Sequence, residues 1–265
     1  MEYVGYLASI LIGISLGLIG GGGSILTVPV LVYLFTVDAV TATAYSLFIV
    51  GLTSAVGSFE YFRKGLVNIR TAIVFGIPSI VAVFFTRAYI VPAIPKEVFS
   101  VGSFTVTKNI LLMVLFAILM IAASYSMIKK DTTPSVEITG KQKFKYPMIL
   151  LEGLVVGVLT GLVGAGGGFL IIPALVVLSR LPMKEAVGTS LVIIAAKSLI
   201  GFFGESSETI INWGFLLQIS AFAIGGIFIG AALSRRIDGK KLKPAFGWFV
   251  LVMGIYIIVK ETLFA

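Results

Sequence analysis

Apolar runs dominate the chain, separated by short polar or glycine-bearing breaks. They fall at about Tyr3–Ile19, Ser24–Phe35, Ala39–Phe62, Asn68–Ile90, Asn109–Ile128, Tyr146–Val163, Gly168–Ser179, Met183–Phe203, Asn212–Ser234 and Leu242–Val259. Apolar stretches of roughly 20 residues are the length that crosses a bilayer as helix. The pattern predicts an all-α polytopic membrane protein of ten helical segments. Two runs are too short: Ser24–Phe35 and Gly168–Ser179 reach roughly 18 Å as helix, against a hydrocarbon core of about 30 Å. Asp38 reads as the N-cap of the third segment, and Asn68 and Asn212 as caps of the fourth and ninth.

Each short run follows a glycine cluster. The first reads GLIGGGGSILTVPVLV from Gly17, and the second GLVGAGGGFLIIPALV from Gly161. Glycine runs mark loops, and loops belong in water, yet nothing hydrophilic flanks either one. A shift of 144 positions places Gly17, Gly20, Gly22 and Gly23 on Gly161, Gly164, Gly166 and Gly167, and Leu26, Pro29 and Leu31 on Leu170, Pro173 and Leu175. The same register carries Ala42, Ser46, Leu47, Ser54, Gly57 and Asn68 onto Ala186, Ser190, Leu191, Ser198, Gly201 and Asn212. One register held through Gly, Pro, Ser and Asn marks an internal repeat, the common build of secondary transporters. The first repeat covers residues 1–128, with 91–108 as an insertion. A polar linker spans 129–145, and the second repeat covers 146–265.

Composition narrows the class. The chain is 58% hydrophobic and 12% charged, half the charge of an ordinary soluble domain, which is about 25%. It has neither cysteine nor histidine, so thiolate and imidazole metal sites are excluded and no cofactor is implied. The net charge of +8 suits cytoplasmic flanks of membrane spans rather than nucleic acid. The first apolar run lacks the features of a cleavable signal.

Lys and Arg also orient the chain. The linker 129–145 and the loop holding Arg235, Arg236, Lys240, Lys241 and Lys243 are basic and go inside, while Glu205 and Glu208 go outside. In the first half Arg63, Lys64 and Arg70 go inside. The equivalent loops then lie on opposite faces, which is the mark of inverted repeats. Each long-plus-short pair becomes a hairpin turning at its glycines, and the two turns meet near the midplane. Both termini fall outside a plasma membrane. The insertion 91–108 carries Lys96 and Lys108 against Glu97, so its external placement runs against the charge rule; a folded external flap is the expectation. A non-inverted pair with each broken helix crossing once is the alternative.

Irregular backbone at that depth must line a cavity or lie within protein. Glycine lets a ligand approach the amides, and helix starts at Ser24 and Gly168 aim free N–H groups and positive dipole ends inward. Together they suit a small oxyanion; close helix packing is the structural alternative. The candidate binding set is Gly20, Gly21, Gly22, Gly23, Ser24 and Ser46 from the first half, with Gly164, Ala165, Gly166, Gly167, Gly168, Thr189, Ser190 and Lys197 from the second. Lys197 is an intramembrane charge, a functional candidate by default, and its repeat counterpart is Thr53. Pairing with a carboxylate or snorkelling is the other reading. Glu152 is a candidate to pair Lys197 or carry a coupling proton, or else it is a cytoplasmic-edge residue. Arg87 is open to gating or snorkelling. Thr43 and Tyr45 fit interhelical hydrogen bonds at least as well as substrate, and Gln218 is a weaker candidate.

The two glycine motifs, each followed by Ala-x-x-x-Ser-Leu at Ala42–Leu47 and Ala186–Leu191, resemble the sulfite exporter TauE/SafE family of membrane transporters. Ala165 departs mildly from the pattern, standing where the first half has Gly21. The resemblance spans nearly the whole chain. It implies export of small sulfur-containing anions, sulfite or an organosulfonate such as sulfoacetate, by alternating access. The expected partners are a small anionic substrate and the bilayer, with no nucleic acid; a homo-oligomer is left open. A passive small-anion or solute channel is the competing reading, since opposed half-helices also build pores. An enzyme is disfavoured, because no catalytic triad, metal cluster or carboxylate dyad is present.

Overall fold

The computed structural model describes residues 2–101, 104–128, 146–164, 166–177, 181–204, 211–234 and 239–263. The linker 129–145, Ala165, and the loops carrying Glu205, Glu208, Arg235 and Arg236 lie outside the described residues. Helix α1 (Glu2–Ile19) leads through a 3₁₀ turn (Gly21–Leu26) into α2 (Thr27–Tyr33) and α3 (Ala39–Arg63). Helix α4 (Ile69–Phe85) runs on through a π-helical turn (Thr86–Ile90) into the single turn α5 (Val91–Ala93). Strands β1 (Glu97–Val101) and β2 (Phe104–Thr107) follow, then α6 (Lys108–Ile128). The second half comprises α7 (Tyr146–Val163), α8 (Gly168–Val177), α9 (Met183–Phe203), α10 (Trp213–Ser234) and α11 (Gly239–Leu263). Five of the described helices are long and apolar enough to cross a membrane: α3, the α4–α5 run, α6, α9 and α10.

The caps fall where the side chains require them. Asp38 accepts from the amides of Val40 and Thr41, Asn68 from Thr71, and Asn212 from Phe215. Two places differ from the sequence reading. The first short helix does not open at Ser24; a 3₁₀ turn occupies Gly21–Leu26 and α-helix starts only at Thr27. Starting there puts Pro29 in the first turn, where its missing N–H breaks no intrahelical bond. The insertion forms an antiparallel hairpin, with Glu97 opposite Thr107 and Val101 opposite Phe104. Its β-branched and aromatic residues favour strand, but the run is too short to show a period.

Packing runs between the halves. Helix α1 lies on α10 and α4 on α7, α3 packs on α9, and α6 on α11. Under the 144-residue shift α1 becomes α7 and α4 becomes α10, so these contacts exchange into one another. Single residues obey the same rule. Gly13 abuts the Ala223 carbonyl oxygen, while a Cβ at Gly157 would lie 2.6 Å from that of Ser79. The Asn212 amide donates to Tyr45 Oη at 2.7 Å, and the Asn68 amide to Thr189 Oγ1 at 2.9 Å. Contacts that recur with partners exchanged are the mark of a two-fold relation between like parts. Tyr45→Phe removes one member of this exchanged pair; the expected cost is about 1 kcal/mol, read as a lower melting temperature in detergent.

Helices α3 and α9 form the centre: 67% of each span is buried, against 39% for α4, α6 and α10. The outer helices turn apolar stripes outward. On α4, Ile69, Ile73, Ile77 and Val81 are exposed at one-turn spacing, as a lipid-facing surface requires.

Candidate functional site

The second glycine turn joins α7 to α8, with Gly164, Gly166 and Gly167 at φ +71°, +63° and +70°. That left-handed region costs an L-residue about 1–2 kcal/mol, so the turn depends on glycine. Space also demands it. A Cβ on Gly164 would overlap the Thr43 carbonyl oxygen, and one on Gly167 would overlap Thr160 Cγ2 and lie 2.6 Å from Lys197 Nζ. One on Gly166 would lie 2.5 Å from Val50 Cγ1 and 3.3 Å from both Ile194 Cγ2 and Ser198 Oγ.

Two buried cations flank this turn. Lys197 Nζ donates to Thr160 Oγ1 at 3.1 Å, and that hydroxyl donates on to the Gly157 carbonyl at 3.2 Å. Arg87 Nη2 donates to Thr43 Oγ1 at 2.9 Å, and Thr43 donates to the Val40 carbonyl at 2.7 Å. Lys197 and Arg87 are both 0% exposed, and no Asp or Glu is among the buried residues described. An ion pair between Lys64 and Glu60 lies on the exposed end of α3. The π-helical turn places Arg87, and such turns frequently mark functional sites.

The first turn is differently furnished. Gly20, at φ +77°, faces Val187 Cγ1, 2.8 Å from where its Cβ would be, and Ile172 Cδ1 at 3.2 Å. Val187 is the repeat counterpart of Thr43, so each turn touches the same position of the opposite half. The chemistry differs there: Leu16 stands in place of Thr160, Thr53 in place of Lys197, and Ala231 in place of Arg87.

Of the residues singled out from sequence, the structure brings Gly164, Gly166, Gly167 and Lys197 together, with Gly168 opening α8. Arg87 is buried beside them through Thr43, which departs from a residue snorkelling at a helix end. Gly21, Gly22, Gly23 and Ser24 form the 3₁₀ turn, with the Ser24 carbonyl accepting from Thr27. Ser46 is buried with no hydrogen-bond partner among the described residues. Ser190 donates to the Val187 carbonyl at 2.8 Å, and Thr189 accepts from Asn68, which ties α9 to the start of α4. Glu152 does not pair Lys197. The lysine's hydroxyl partner is two turns further along α7, about 12 Å away at 1.5 Å per residue. Gln218 is exposed and accepts from Tyr6 Oη at 3.3 Å. Sequence reasoning missed Thr160 and Ser198. The available signals were a polar residue one turn before Gly164 and a hydroxyl adjacent to the intramembrane lysine. Among the described residues no cluster of metal-ligating side chains occurs.

Long apolar helices around a buried polar centre define a polytopic α-helical membrane protein. The chain belongs to the sulfite exporter TauE/SafE family, whose model matches residues 6–257. It is 29% identical over 252 residues to a "Probable membrane transporter protein" of Xylella fastidiosa, covering 94% of this chain and 91% of that one. It is 28% identical over 255 residues to the "Probable membrane transporter protein YunE" of Bacillus subtilis, covering 91% of each. It is 27% identical over 267 residues to the "Probable membrane transporter protein MJ0441" of Methanocaldococcus jannaschii, covering 96% and 94%. These relatives bear the names of transporters rather than enzymes. No solved structure matches the chain.

Proposed function

We propose that this protein exports a small sulfur-containing anion, sulfite or an organosulfonate, by alternating access. The cargo sits at the glycine turns, in contact with Lys197. The observation that carries this reading is the Lys197 ammonium beside Gly167, fully buried and donating to the Thr160 hydroxyl. A buried cation beside left-handed glycines favours an anion over a neutral or cationic cargo. The family supplies the sulfur. The two halves are inverted in the membrane, with both termini outside; support comes from the charge pattern of the loops.

Transport is tested with purified protein in liposomes loaded with sulfite or sulfoacetate. Saturable efflux, accelerated by the same anion on the far side, is the expected result. Linear, non-saturating flux without counterflow belongs to a channel and overturns alternating access. Orientation is tested separately, because the chain has no native cysteine. In intact cells a membrane-impermeant maleimide should label Ser206→Cys and spare Ser135→Cys in the linker. The opposite labelling overturns the orientation.

A further inference from the structure

We propose that the anion is held one-sidedly, at the second glycine turn, and that Ser198 is a substrate-contacting hydroxyl beside Lys197. The proposal rests on the anion-transport reading above and deepens it.

Lys197 and Ser198 are consecutive on α9, and they meet two consecutive left-handed glycines. Lys197 Nζ lies 2.6 Å from where the Gly167 Cβ would be, beside Thr160 Cγ2, which that Cβ would overlap, and Ser198 Oγ lies 3.3 Å from that of Gly166, beside Val50 Cγ1 at 2.5 Å. Ser198 is 0% exposed, and its hydroxyl has no hydrogen-bond partner among the described residues. Among the buried helical serines described, Ser9, Ser124, Ser190 and Ser220 donate to a carbonyl three or four residues back, and Ser46, Ser54 and Ser79 do not. Nor does Ser198, and a buried unmatched hydroxyl is a cost without benefit to the fold unless something else completes it.

An oxyanion head at Gly166–Gly167 would complete it. The head would accept from Ser198 Oγ and from the Lys197 protons not given to Thr160. Both are donors, and a charge-assisted hydrogen bond in a dry site is stronger than a neutral one. The described glycines of the first turn meet no lysine, whose counterpart there is Thr53. Gly20 faces the side chains of Val187 and Ile172, and Gly23 is closed against Ser15 Oγ and the Leu16 amide. The nearest control is Ser54, the repeat counterpart of Ser198, likewise buried with an unmatched hydroxyl but paired in register with Thr53 rather than a lysine.

The test measures binding of sulfite and of sulfoacetate to the full chain in nanodiscs, for wild type, Ser198→Ala and Ser54→Ala. Ser198→Ala should bind both anions about tenfold more weakly, as expected for losing one hydrogen bond to a charged group. Ser54→Ala should bind as wild type does. Without anion both variants should melt at or above the wild-type temperature, because each removes an unmatched buried hydroxyl. With saturating anion the melting temperature of Ser198→Ala should rise less than that of wild type. Wild-type affinity in Ser198→Ala, equal losses in both variants, or a fall of several degrees in anion-free Ser198→Ala each overturns the proposal. Failure of the wild type to bind either anion overturns the functional reading itself.

Discussion

Lys197→Met should give a protein that is more stable and does not transport. The two side chains are similar in length, so the space between Thr160 and Gly167 stays filled. Nothing is stranded, because Thr160 still donates to the Gly157 carbonyl. The substitution removes a charge buried where no Asp or Glu is buried among the described residues. Desolvating a charge costs several kcal/mol, and apolar replacements of buried charged groups are commonly stabilising by about 1–4 kcal/mol. A rise of several degrees in melting temperature is expected, since about 1 kcal/mol is worth 2–4 °C in a chain of this size. The effect on cargo is opposite. Removing one partner of a buried, desolvated charge pair costs about 3–5 kcal/mol, which is more than a hundredfold in affinity. Efflux of sulfite or sulfoacetate from liposomes and the melting curve are the two measurements. Normal efflux in Lys197→Met would show that the lysine is structural. Lower stability would show that its charge is balanced by an anionic group in the resting protein.

Gly167→Ala should abolish folding into the membrane, and Thr160→Ser should restore much of what is lost. The alanine methyl would occupy the volume of Thr160 Cγ2, and overpacking costs about 1–3 kcal/mol. Forcing an L-residue to φ +70° adds about 1–2 kcal/mol. Thr160→Ser deletes the nearest methyl while keeping the hydroxyl that Lys197 uses, so the double variant should retain the backbone penalty and the milder crowding by Lys197 Nζ and the residue-160 Cβ. Gly164→Ala makes the contrast. Its methyl would meet the backbone of Thr43, and no side-chain change can move a carbonyl. Yield of monodisperse protein and its melting temperature, over a double-mutant cycle, separate the two cases. Equal behaviour of Gly167→Ala with and without Thr160→Ser would refute the steric account.

The elements were legible because each reports itself locally. Hydropathy marked the long helices, and Asp38, Asn68 and Asn212 announced their helix starts. The repeat was legible because glycine, proline and asparagine are hard to exchange where backbone geometry needs them. The hairpin at residues 97–107 carried no such signal beyond strand-favouring side chains. The candidate site was half legible. Lys197 stood out as a charge in an apolar span. Arg87 was visible, but its burial follows from a π-helical turn that hydropathy does not record. Thr160 and Ser198 were hidden, because a hydroxyl costs too little in an apolar helix to break the pattern. The unequal equipment of the two turns was hidden too. The sequence pairs Gly20 with Gly164, but only the fold shows that one rests on Val187 and the other on Thr43.

The exchanged packing has a consequence for how the molecule is made. Helix α1 ends at Ile19, and the helix it lies on begins at Trp213. At about 5–20 residues per second, α1 waits roughly 10–40 seconds for its partner to emerge. During that wait the backbones of Gly13 and Gly17, which α10 later covers, must be shielded by lipid or by the insertion machinery. Neither half can therefore mature alone. A chain cut within residues 129–145 should be recoverable only when both pieces are synthesised in the same cell.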